Sequence, residues 1–168
     1  YVTATSRLGH RDPGWRRVVD FADGVVRVAV QGDTMYLLSH RGAPRFQLLA
    51  LELNQPKAPP RVVVPQSDRV LTGLAPAADA LYVEARVGNT KRLFRRGYGA
   101  KAELAEVALP VQGTFLLNGA ENDADAYDPR LPGVLIGLEG WNRARQMYQV
   151  QRDGKVVKGV NFEDLRDA

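Results

Sequence analysis

Ser6, Ser39 and Ser67 are the only serines in this chain. A serine nucleophile of the α/β-hydrolase kind sits in Gly-x-Ser-x-Gly, because a strained strand-to-helix turn must expose its hydroxyl. None of the three has that setting. Ser39 is followed by His40, and these are the right residue types for a nucleophile and its base. Adjacent side chains on a strand point to opposite faces, so the pair does not converge, and both read as surface or turn residues. His10 and His40 are the only histidines, without the His-x-x-x-His or His-Glu spacing that would hold zinc. The acidic run Glu121-Asn122-Asp123-Ala124-Asp125-Ala126-Tyr127-Asp128 offers spaced oxygens that suit calcium. It lacks the glycine and terminal glutamate of the calcium-binding loop and reads as a solvated insert. With no cysteine there is no thiolate metal site, disulfide or thiol nucleophile. Gly97-Tyr98-Gly99 reads as a turn rather than a phosphate loop. The residues therefore predict no catalytic group, metal or cofactor in this stretch.

The elements that carry these residues read as short strands. Val25–Val30, Thr34–Ser39, Phe46–Leu53 and Arg61–Val64 form one set, broken by Gly, Asp and Pro. Val70–Leu74, Ala80–Ala85, Arg92–Arg96 and Leu104–Leu109 form a second. Gly113–Leu117, Gly133–Leu138, Met147–Gln151 and Lys155–Val160 form a third. The central apolar strands, marked by Tyr36, Tyr82 and Leu135, recur after 46 and 53 residues, the longer interval holding an insert at Glu121–Pro132. Four strands in roughly 40–50 residues is the period of a propeller blade. The fold class is all-β: a partial β-propeller of about three four-stranded antiparallel blades, with a sandwich or barrel as the alternative. The chain forms a single segment, with approximate blades 22–65, 66–110 and 111–161. Residues 1–21 would be the remnant of a preceding blade, with Trp15–Phe21 as its outer strand. Lys101–Val107 has helix-forming residues but is bracketed by Gly97, Gly99 and Pro110 and reads as a strand. Three blades do not close a ring, so two flanks stay open, for the rest of a longer chain or for self-association.

Numbering each blade's strands from the inside outward sorts the charges. The loops between strands two and three carry Arg41 and Arg45, then Lys91 and Arg92, then Arg143 and Arg145 with Trp141 among them. The loops between strands one and two carry Asp33, Asp79 and the acidic run. One rim is thus expected to be basic and the other acidic. The basic rim is a candidate surface for a neighbouring domain or for acidic peptide ends. Ordinary loop polarity is the plainer explanation.

Composition excludes several classes. Hydrophobic residues make up 45% of the chain and charged residues 25%, as in an ordinary folded domain. No apolar run approaches the roughly 20 residues that cross a bilayer, so no membrane segment is expected. The net charge of +4 is spread among acids instead of gathered on one element, which argues against nucleic acid as a partner. Absence of cysteine is compatible with cytoplasm or periplasm.

The serial order of several short motifs resembles the propeller of the prolyl oligopeptidase family. They are Gly32-Asp33-Thr34-Met35-Tyr36-Leu37-Leu38-Ser39, then Arg41-Gly42-Ala43-Pro44-Arg45 and Leu48-Leu49-Ala50-Leu51. Val62-Val63-Val64-Pro65-Gln66, Leu109-Pro110 with Gly113, and Gly140-Trp141-Asn142-Arg143 with Tyr148 follow in order. The last departs from the family pattern, because the proline expected near Arg143 or Ala144 is absent. The resemblance implies a propeller that caps an α/β-hydrolase domain and restricts it to oligopeptides. That hydrolase domain would be the partner, and would hold the nucleophile, oxyanion hole and triad. A stand-alone protein-interaction propeller is the alternative.

Overall fold

A computed structural model describes residues 1–55, 57–111, 113–117, 128–140 and 142–159. It contains three four-stranded antiparallel sheets. The first holds β1 (Val25–Gln31), β2 (Thr34–Ser39), β3 (Gln47–Glu52) and β4 (Arg61–Val64). The second holds β5 (Val70–Pro76), β6 (Leu81–Val87), β7 (Thr90–Arg96) and β8 (Ala105–Val107). The third holds β9 (Thr114–Leu117), β10 (Val134–Gly140), β11 (Arg143–Val150) and β12 (Val156–Lys158). Each sheet pairs its strands in chain order, which is the topology of a propeller blade. The segment around Lys101 forms no helix, and its end is strand β8.

Turn chemistry sets the hairpins. Gly32-Asp33 joins β1 to β2 and Gly88-Asn89 joins β6 to β7, each a two-residue connection. Both begin with a glycine at positive φ, 56° and 60°, as tight hairpins of this kind require at their first central position.

Burial follows from how many faces of each strand are covered. In the middle blade, β6 has Leu81, Val83 and Ala85 in the core shared with the first blade. Its Tyr82 lies in the core shared with the third. Both faces of β6 are therefore dry, and its run Leu81–Ala85 is buried throughout. The third blade contributes Phe115, Ile136, Leu138 and Tyr148 to that second core. β1 differs. Its register puts Ala29 beside Tyr36, facing the middle blade, and Val28 and Val30 beside Leu37 and Met35 on the other face. Ala29 is 2% exposed, whereas Val28 is 50% exposed. Val26, Val28, Val19, Phe21 and Tyr1 line a groove of about 420 Å3 on that open flank.

The outer half of the same flank is covered by the N-terminal segment. Val2, Val18 and Val19 pack on Met35, Leu37 and Leu51. The strand expected at Trp15–Phe21 does not form. One bridge joins Val2 to Arg16, and Arg16 Nη2 donates to the Leu53 carbonyl at 2.7 Å. Asp20 then accepts from the Phe21 N–H and caps a 3-10 turn at Phe21–Asp23. A side chain that competes for backbone donors in this way ends extended structure.

Candidate functional site

The connections β2–β3 and β6–β7 leave one rim of the stacked blades, and β1–β2 and β5–β6 leave the other. The β2–β3 loop is built from its own hydrogen bonds. The Ala43 N–H donates to the His40 carbonyl at 3.0 Å and the Phe46 N–H to the Ala43 carbonyl at 2.7 Å. Phe46 has φ 65°, an uncommon conformation for a bulky residue, and its ring meets His40 edge-on at 5.9 Å. Ser39 is fully buried beneath this loop. Its Oγ donates to the Asp23 carbonyl at 2.6 Å and accepts from the Arg41 N–H at 3.1 Å. That hydroxyl has a structural job, and it does not meet the imidazole of His40.

The cations expected on this rim are mostly paired. Arg41 meets Asp23 at 2.7 Å, Arg92 meets Glu106 at 2.7 Å, and Arg145 meets Glu139 at 3.4 Å. Lys91 meets Glu84 at 2.9 Å. Lys91 and Arg92 lie on β7 itself, and Arg143 and Arg145 on β11, because the turns before them are short. Arg45 has no carboxylate within salt-bridge distance among the described residues. It reaches the Asp68 carbonyl at 3.4 Å, and its own carbonyl accepts from the Leu71 N–H, tying the first blade to the second. Trp141 and the side chain of Arg143 lie outside the described residues, as do Glu121–Tyr127 of the acidic run. Pairing shrinks the net field of the rim, since each bound carboxylate cancels a cation at close range.

The best-organised polar groups stand between the second and third blades. On the β5–β6 rim, the Asp79 side chain is 3% exposed. It accepts from the Gly133 N–H at 2.7 Å, Arg95 Nη2 at 3.0 Å and the Tyr82 hydroxyl at 3.1 Å. Burial pushes this carboxyl up, but those hydrogen bonds outweigh it and hold it below the usual range. Burial, with the Asp79 charge beside it, pushes the Tyr82 phenol up to about 12. Toward the opposite rim, Glu84 accepts from Thr72 at 2.8 Å and from Lys91. Lys91 Nζ also approaches the Phe115 carbonyl of the third blade at 3.4 Å. Below that rim, Asn89, Thr90, Lys91, Gly113, Thr114 and Glu139 line an open groove of about 470 Å3.

Loop composition points to the rim cations but not to the carboxylates that pair with them, nor to Glu84. Its signal is a lone carboxylate inside the apolar run Leu-Tyr-Val-Glu-Ala-Arg-Val of β6. No group of three or more His, Cys, Asp or Glu placed to hold a metal occurs among the described residues.

Comparison with known proteins bears on this geometry. The model of the prolyl oligopeptidase N-terminal β-propeller domain matches residues 3–127. No curated protein matches the sequence. Among solved structures, one from a study of two prolyl endopeptidases is 21% identical with a TM-score of 0.66, covering 79% of this chain and 19% of that one. Oligopeptidase B from Leishmania major is 17% identical with a TM-score of 0.66, over 79% of this chain and 19% of that one. Prolyl oligopeptidase B from Galerina marginata is 14% identical with a TM-score of 0.68, over 86% of this chain and 20% of that one. The chain thus spans about a fifth of the length of these structures. With the blade topology in hand and most of the chain inside the family match, this protein belongs to the prolyl oligopeptidase N-terminal β-propeller family.

Proposed function

We propose that this chain is a non-catalytic propeller segment of a prolyl-oligopeptidase-like serine peptidase, gating the access of oligopeptides to a hydrolase domain elsewhere in the parent protein. The observation that carries the reading is the family match over residues 3–127 on three serially ordered blades. The structural use of the Ser39 hydroxyl supports the non-catalytic part. In this reading a narrow axial channel admits extended peptides and excludes folded proteins. The chemistry is acyl transfer on a Ser-His-Asp centre supplied by the hydrolase domain. The basic rim with Arg41, Arg45, Lys91, Arg92, Trp141, Arg143 and Arg145 faces that domain or the acidic ends of peptides. The valine-lined flank of β1 receives the neighbouring blade, or a second copy when that blade is lacking.

The test has two arms. The purified 168-residue chain is incubated with a proline-containing chromogenic peptide, and no turnover is expected. Turnover by this chain alone overturns the non-catalytic reading. In the parent peptidase, reversing Arg41 and Arg145 to Glu should change peptide turnover and its salt dependence. Unchanged values remove the rim from the mechanism.

A further inference from the structure

Arg95 and Arg96 are neighbours on β7, so their side chains leave opposite faces of the middle blade. Arg95 turns toward the third blade and is held by Asp79 at 3.0 Å. Arg96 stands beside Leu81, in register on the face that meets the first blade. It is 4% exposed, yet no carboxylate lies within salt-bridge distance of it among the described residues. Nη1 donates to the Gly97 carbonyl at 3.0 Å, and Nε is buried with no hydrogen-bond partner. Among the described residues the Nε–Nη2 edge, the one that grips a carboxylate side-on, therefore has no hydrogen-bond partner. A buried guanidinium left so is costly, and native structures pair such charges.

The first blade does not supply the counter-ion. Tyr36, Ala50 and Arg61 form one cross-strand row of that blade. Burial pushes the Tyr36 phenol up; the charges of Arg61 and Arg96 partly offset this, and that of Glu52 adds to it. Glu52, the nearby carboxylate, is bonded to the Thr34 hydroxyl at 2.9 Å and only loosely to Arg61 at 3.7 Å. Tyr98 packs its ring on Tyr36 at 6.0 Å and anchors its hydroxyl on the Ala77 and Ala80 carbonyls. The junction therefore brings the Tyr36–Tyr98 ring pair and two cations, Arg61 and Arg96, together with one carboxylate, Glu52.

We propose that the junction of the first and second blades is an anion site in which Arg96, flanked by Arg61 and the Tyr36–Tyr98 pair, takes a small carboxylate. The near-complete burial of Arg96 limits the ligand to a free carboxylate of acetate size or to the carboxylate end of a peptide. The site is separate from the rim assigned to gating and does not depend on that reading.

The test is thermal unfolding of the chain at fixed ionic strength in sodium chloride, sodium acetate, N-acetylglycine or N-acetylglycinamide. Acetate should raise the midpoint saturably above the chloride value, and Arg96→Met should abolish the increment. Arg96→Lys keeps the charge but loses the side-on edge, so its half-saturation should rise at least tenfold; it carries the comparison should the Met variant not fold. N-acetylglycine acting more tightly than acetate, with the amide inactive, assigns a peptide terminus. Acetate acting alone assigns the free anion. Equal midpoints in acetate and chloride, or equal increments with and without the Arg96 guanidinium, overturn the site.

Discussion

Asp79→Ala should be the most damaging single polar substitution among the described residues. The side chain is 3% exposed and accepts from a backbone N–H, a guanidinium and a phenol. Removing it strands the Gly133 N–H and the Tyr82 hydroxyl, at about 1–3 kcal/mol each for buried donors. Arg95 loses its partner too, but its side chain is 30% exposed and reaches water, which discounts that loss. The expected total is about 3 kcal/mol, which lowers the melting temperature of a domain this size by roughly 6–12 °C. The pH dependence has a definite sign. The folded-state pKa of Asp79 is depressed, so its contribution is present above the unfolded value of about 3.9 and is lost as pH falls through the folded value. Wild type should thus lose stability on acidification over that window more steeply than the Ala variant. Urea titrations of both proteins between pH 2.5 and 7 measure the two effects together. An Ala variant that melts within 1 °C of wild type at pH 7, or that shows the same acid slope, refutes the idea that this carboxylate fastens the second blade to the third.

Other substitutions test the same frame. Gly133→Ala should cost about 2 kcal/mol or more, because the new Cβ collides with the backbone carbonyl of Val150 and no side-chain rotation relieves it; a denaturant midpoint at the wild-type value contradicts the close approach. Lys91→Met leaves Glu84, whose side chain is 11% exposed, with Thr72 alone, and should cost about 2 kcal/mol. Adding Glu84→Leu to that variant should recover much of the loss in a double-mutant cycle, whereas strict additivity would mean the two charges do not interact. Ser39→Ala should cost about 1–2 kcal/mol through the bonds to Asp23 and Arg41, while leaving catalysis by a parent peptidase intact. Lost turnover at unchanged stability would reassign the hydroxyl to chemistry.

The strands were legible because their signal is local. Thr34–Ser39 and Arg61–Val64 are bounded by turn residues at both ends, and the structure keeps those limits. β11 begins four residues earlier than the apolar run at Met147, because Arg143–Gln146 extend the hairpin with a mostly polar stretch that carries no strand signal. Trp15–Phe21 misled for the opposite reason. Val18 and Val19 do pack, but from a loop laid on the first blade, while Trp15 and Phe21 stay exposed and the Asp20 cap ends the extended pattern. The partners of charges were the least legible feature. Arg41 finds Asp23 of the 3-10 turn, and Lys91 finds Glu84 across the β6–β7 pairing, neither of which loop composition reveals.

The placement of polar groups bears on what the blades can do by themselves. Ser39 is enclosed by the loop it organises, Asp79 is saturated by three residues, and Glu84 is held by a hydroxyl and an ammonium. A catalytic group must keep a lone pair or a proton free for substrate, within hydrogen-bond reach of a second reacting group. None of these three has that freedom, and each instead ties a loop to its sheet or one strand to another. Arg96 departs from the pattern, as a buried charge with an unengaged edge. A guanidinium is a recognition group here and not a proton-transfer group, since it stays protonated at any physiological pH. An edge of that kind can bind an anion but cannot move a proton, so the role proposed for Arg96 is one of recognition and not of catalysis.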